Sequence, residues 1–212
     1  MATTVESLAV ENDGAVARII LRRPPLNILT VEMLEDLNQV LHGLREAPRL
    51  RAFVLAAEGK AFSAGVAVED HLPDKAALML ATFNETFRLL RGLACPMISA
   101  VQGPALGGGC ELACFADLVF ASESATFGQP EIKLGVFPPM AALHFPHRIG
   151  LARTLQFVLT GDIISAREAE RIGLADRVVP PAELFSAVDN AVAGFRAKSA
   201  PALRLTKRAV LR

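Results

Sequence analysis

The 212-residue chain carries 22 Lys+Arg against 22 Asp+Glu, and is 52% hydrophobic and 21% charged. Zero net charge gives no basic excess for nucleic acid, and the apolar fraction is too high for a disordered chain. No stretch approaches eighteen unbroken apolar residues, and the acidic start MATTVESLAVENDG lacks the apolar run of a signal peptide. The expectation is therefore a cytoplasmic protein with no membrane partner.

The first elements are two short alternating runs, SLAVEND (7–13) and AVARIILRR (15–23), parted by Asn12-Asp13-Gly14, which read as a β-hairpin. Thr30 is placed to cap a helix over 31–46, where Val31, Leu34, Leu37, Val40, Leu41 and Leu44 recur at helical spacing; Met33 at the third helical position precludes a capping box. RAFVLAAEG (51–59) reads as a buried strand, 60–71 as a turn-rich loop, 75–92 as a helix and PMISAVQG (96–103) as a strand stopped by Gly103-Pro104. The glycine run leads into a helix and then a strand near 118–121. Residues 125–139 read as short strand and loop, and 141–161 as a helix interrupted near Pro146 and Gly150. Ser165 and Glu168 form the spacing of a capping box for a helix over 165–175. A strand at 176–180 and a helix over 181–198 follow. Strands alternate with helices, so the class is α/β, with no internal repeat. Cys95, Cys110 and Cys114 are an odd number without metal-ligand spacing, which fits buried thiols in a reducing compartment and predicts no metal site.

Two loops carry the chemistry. Strand 96–103, then GPALGGGCEL (103–112), then a helix places free amides at a helix N-terminus, which attracts negative charge. The run is neither GxxxxGK[ST] nor GxGxxG. By itself it is equally a tight turn packed against a neighbour. AFSAGV (61–66) also follows a strand and also breaks it with Ala-Gly. One amide from each loop could converge on one oxygen, as in an oxyanion hole.

The stretches AFSAGVAV, AVQGPALGGGCEL, FADLVFA and ATFGQPEIKLG, with LNILTVEML (26–34) and GDIISAREAERIGLADRVVP (161–180), resemble in order and spacing the crotonase (enoyl-CoA hydratase/isomerase) superfamily over about residues 8–212. The resemblance implies the α/β crotonase (ClpP/crotonase-like) spiral of ββα turns with a helical C-terminal part. Residues 1–195 would be the core, and 196–212 the start of a truncated trimerisation region. It implies an acyl-CoA thioester as substrate, no further cofactor, and a homotrimer or hexamer. By position, the oxyanion donors would be Val66 and Gly108, in loops that include Ala64, Gly65 and Gly107. Glu111 and Glu131 match the two glutamates of the hydratases, which hold a water between them, one acting as base and the other, protonated, supplying the α-proton. Isomerases of the family can keep only the second glutamate, so both together favour hydration; an isomerase or a silent acyl-CoA-binding subunit is the alternative. Arg23 and Leu26 are candidates for CoA contacts and His71 for the acyl or CoA channel. His144 and His147 read as surface or packing residues.

The chain also departs from the family. The Asp of AGAD is Ala67 here, which removes a side chain that fixes the oxyanion loop. GVFPPMAAL (135–143) replaces a glycine-rich run, so Phe137 and Met140 would make the acyl pocket bulkier and more apolar. With SAGV and VEDH, this is similar to the branch of cyclohexa-1,5-diene-1-carbonyl-CoA hydratases.

Overall fold

The computed structural model describes residues 2–5, 7–45 and 47–211. Glu46, the last residue of the first predicted helix, lies outside these, as does Arg212 of the terminal segment.

A seven-stranded sheet forms the base of the fold. Its first three strands are antiparallel: β1 (Ala2–Val5), β2 (Leu8–Asn12) and β3 (Val16–Leu21). The β2–β3 pair is the predicted hairpin, with Leu8 opposite Leu21 and Asn12 opposite Ala17. Its turn is set by side chains: Asn12 Oδ1 accepts from the Gly14 amide, and Asp13 Oδ1 accepts from those of Ala15 and Val16. Beyond β3 come β4 (Ala52–Ala57), β5 (Met97–Val101), β7 (Leu118–Ser122) and β10 (Arg177–Val179), all parallel.

β4 shows why the parallel strands read as continuous apolar runs. Phe53, Leu55 and Ala57 face one hydrophobic cluster while Ala52, Val54 and Ala56 face another. Side chains alternate, so a strand sandwiched between helices must be apolar on both faces. One face is covered by α1 (Val31–Arg45) and α2 (Ala76–Gly92). The other is covered by α7 (Leu184–Arg196) through Leu184, Ala187, Val188 and Val192.

A second, three-stranded sheet sits above the first: β6 (Ala105–Leu106), β8 (Thr126–Gly128) and β9 (Ile163–Ser165). Successive turns of the chain give one strand to each sheet and then a helix. β5 and β6 are followed by α3 (Gly108–Cys114). β7 and β8 are followed by a 3-10 turn at Pro130–Leu134 and by α4 (Pro139–Ile149). Residues 61–67 occupy the equivalent second-strand position after β4, through isolated parallel bridges of Ser63 to Ala105 and Val66 to Leu29.

Several local readings are corrected. The 141–161 helix is two helices, α4 and α5 (Leu151–Thr160), broken at Gly150 with φ 79, whereas Pro146 lies inside α4. The capping box at α6 (Ala166–Ile172) is half made: Ser165 accepts from the Glu168 amide at 3.2 Å, but the Glu168 carboxylate pairs with Arg171. The helix expected over 181–198 begins as a 3-10 turn and ends at Arg196, and α8 (Ala200–Val210) follows. α8 is pinned by Lys207, which donates to the Cys95 carbonyl and pairs with Asp117. No helix among the described residues is long and apolar enough to cross a membrane.

Candidate active site

The 61–67 loop is stitched on both sides. Ala64 N–H donates to Leu26, Leu29 N–H to Gly65 and Ala67 N–H to Leu29; on the other side Phe62 and Ser63 donate to Pro104, and Leu106 donates to Ser63. Asn27, fully buried, anchors this lattice. Its side-chain nitrogen donates to the Glu58 and Ala61 carbonyls, and its oxygen accepts from the Arg23 amide. The loop is therefore held without the missing aspartate. Ala67 O accepts from the Asp70 amide and lies 2.9 Å from His71 Nδ1, and the Asp70 carboxylate accepts from the Val31 amide at the start of α1.

This lattice uses every neighbouring amide except that of Val66. In a parallel bridge the partners on either side of residue 66 bond to Leu29, so the Val66 N–H faces away from it. Gly108 is the first residue of α3, where an amide has no intrahelical partner. The two are neighbours: a Cβ on Gly108 would lie 2.7 Å from Val66 Cγ2, and one on Gly65 would lie 3.9 Å from Gly108 N. Only glycine lets the loops approach this closely.

Glu111 projects from the first turn of α3 and is 2% exposed. Its Oε1 accepts from the amides of Met140, at 2.8 Å, and Ala141, at 2.7 Å, both in the first turn of α4. No protein donor is recorded at Oε2 among the described residues. Burial pushes the Glu111 carboxyl up to about 8. The Ala141 and Met140 bonds oppose this, and the nearby Glu131 charge adds to it. Glu131 is half-buried on the 3-10 turn, and burial likewise raises it to about 7. A Cβ on Gly107 would lie 2.9 Å from Glu131 Oε1, so the second carboxylate rests directly over the glycine run. Gln129, fully buried, sets its side-chain amide 2.9 Å from both Glu131 oxygens, a position from which the amide nitrogen, turned toward them, donates to both.

The structure thus gathers Ala64, Gly65, Val66, Gly107, Gly108, Glu111 and Glu131 in one place. Met140 is half-buried against the core beside Glu111, whereas Phe137 is 67% exposed on the segment leading into α4. His71 follows the oxyanion-type loop on a 3-10 turn. Exposed Arg23 donates to Thr30, and Leu26, 47% exposed, lies beside the 61–67 loop through its carbonyl. Gln129 and the amides of residues 140 and 141 escaped the sequence reading. The GQPE stretch offers Gln129 to hindsight. Nothing in the sequence says that α4 will point its amides at α3.

Residues 11–212 match the family model for enoyl-CoA hydratase/isomerase. The chain is 39% identical over 192 residues to a cyclohexa-1,5-dienecarbonyl-CoA hydratase of Thauera aromatica, covering 90% of this chain and 74% of that protein. It is 38% identical over 213 residues to a probable enoyl-CoA hydratase of Mycobacterium tuberculosis, covering 99% and 82%. The crystal structure of an enoyl-CoA hydratase from Bacillus anthracis superposes with a TM-score of 0.93 at 30% identity, covering 98% of this chain and 83% of that one.

Proposed function

The chain belongs to the enoyl-CoA hydratase/isomerase family and has the crotonase fold, and from that premise we propose that it adds water across the α,β double bond of a cyclic dienoyl-CoA, using Glu111 and Glu131 for proton transfer. The observation that carries this reading is the meeting of two unengaged amides with two hard-to-ionise carboxyls, Glu111 buried and Glu131 half-buried, around one glycine run.

The Val66 and Gly108 amides would hold the thioester oxygen. As water attacks the β-carbon, negative charge moves onto that oxygen, and preorganised donors stabilise it at no reorganisation cost; one such donor is worth about 3–4 kcal/mol. The pair shares one proton between pH about 7 and about 8. The ionised member takes a proton from the attacking water, and the protonated member delivers its proton to the α-carbon. Each turnover leaves the shared proton on the opposite carboxyl, from which it must return before the next. The two amides on Glu111 Oε1 leave Oε2 as the oxygen that meets water or substrate.

The substrate class rests on the Thauera aromatica relative together with Met140 at the site. Arg23 and Leu26 would meet the CoA moiety, His71, Met140 and Phe137 the acyl end, and no cofactor beyond the substrate's own CoA is required. Residues 196–212 are assigned to the start of the assembly region, and the assembly to a homotrimer or hexamer. Three free buried thiols fit the cytoplasm. The deciding assay compares cyclohexa-1,5-diene-1-carbonyl-CoA with crotonyl-CoA. Higher kcat/KM for the cyclic ester and a hydroxyacyl-CoA product are expected. Preference for crotonyl-CoA removes the substrate assignment, and double-bond migration without hydroxyacyl-CoA removes hydration.

A further inference from the structure

We infer that His144 is a positioning residue that sets the grip of α4 on the Glu111 carboxylate. The inference deepens the proposed function, since it takes Glu111 as one of the reacting carboxyls.

α3 and α4 are joined at two levels. At the first, Glu111 Oε1 accepts from Met140 and Ala141. At the second, the His144 ring packs on Phe115, with centroids 5.0 Å apart and planes at 40°, and lies against the Cys114 carbonyl. From 111 to 114–115, and from 140–141 to 144, both helices advance three to four residues. That is one turn on each, so the same faces stay opposed and the second contact fixes the spacing of the first. The row continues beyond Phe115. Phe87 meets it edge-on at 4.9 Å, Phe83 meets Phe87 at 4.8 Å, and the Phe83 ring would lie 3.2 Å from a Cβ on Gly108. His144 closes an aromatic row that runs under the site from one proposed oxyanion donor to the helix gripping Glu111.

The imidazole acts as a neutral group. Burial pushes it down to about 4, and the Arg148, His147 and Arg91 charges add to that, against the Cys114 carbonyl. Arg148 and His147 share α4 with it, Arg91 comes from α2, and the Cys114 carbonyl at the end of α3 opposes them. With no charge of its own near neutrality, His144 acts on Glu111 by geometry alone.

The test follows the Glu111 carboxyl by carbon-13 NMR of the full chain, with glutamate labelled at Cδ and the signal assigned by Glu111→Gln. In a folded His144→Ala protein the Glu111 titration moves up, because amides that stabilise the ionised form have been loosened. His144→Phe keeps the ring contact with Phe115 and titrates like the parent; His144→Leu fills the space without that ring contact, moves with Ala and replaces it should that variant not fold. With the cyclic dienoyl-CoA, His144→Ala loses about 10- to 100-fold in kcat with KM little changed, and His144→Phe recovers most of it. An unmoved Glu111 titration in the Ala or Leu variant overturns the inference. Absence of turnover in the parent protein would sink the proposed function while leaving the NMR result to decide the role of His144.

Discussion

Two carboxyls kept from ionising are a burden that only their chemistry explains. Glu111 is buried and raised to about 8, well above the 4.5 it would have when unfolded. Between those values the folded state binds more protons than the unfolded one, so stability falls as pH rises through this window. The Glu111→Gln protein is therefore expected to be more stable than the parent at pH 8.5, on the order of 1–3 kcal/mol, with the difference shrinking toward pH 5. Chemical denaturation at the two pH values measures it, and equal stability at pH 8.5 would contradict the assigned shift. The same substitution, and Glu131→Gln, should each remove hydration while leaving CoA-ester binding. For the parent, kcat/KM should be bell-shaped around pH 7–8. On the acid side both carboxyls are protonated and no base is left, and on the alkaline side both are ionised and no acid is left. A fully active Glu131→Gln enzyme would refute the paired role.

Elements hold these groups in register. Residues 61–67 read as a turn-rich loop but behave as a short strand, bonded to 26–29 on one side and 104–106 on the other. α3 then packs so tightly on it that a Cβ at Gly109 would lie 2.5 Å from the Ser63 carbonyl oxygen. Backbone cannot yield there as a flexible side chain can. Gly109→Ala should separate α3 from the loop, costing about 2 kcal/mol or more in denaturation and at least about 10-fold in kcat through the misplaced Gly108 and Glu111. A Gly109→Ala protein with parental kcat would show that the spacing between these loops is not what catalysis depends on. β6 and β9 went unread because strands of two and three residues carry too few positions for a period to appear.

At the scale of the molecule, α5 presents Leu151, Leu155 and Leu159 on one stripe, 66%, 46% and 62% exposed, with Leu143 and Ile163 also exposed nearby in the chain. Apolar residues at i, i+4 and i+8 mark a helix built to pack against something. The proposed occupant is a second copy of this chain. Leu155→Glu with Leu159→Glu should convert a trimer or hexamer to monomer in sedimentation velocity, and a parent protein that sediments as a monomer would overturn the assignment. The Arg148 guanidinium secures the same region from within. It bonds the Ala116 and Leu174 carbonyls and pairs with Asp176, tying α4 to the ends of β7 and β10.

Much of this protein was legible in its sequence because the signals are local. The apolar runs of β4 and β5, the helical spacing of α1, the Asn-Asp-Gly turn and the glycine loop preceding Glu111 each follow from the preferences of a few adjacent residues. The order of the motifs was enough to propose which loops meet. Tertiary structure alone decided how they meet. The Asp70 carboxylate accepts from the Val31 amide at the start of α1, and the first turn of α4 directs its amides at Glu111. Those contacts join residues brought together by packing, 29 or more positions apart for Glu111 and α4. A hydrogen bond across such a gap leaves no periodicity in the chain to be read.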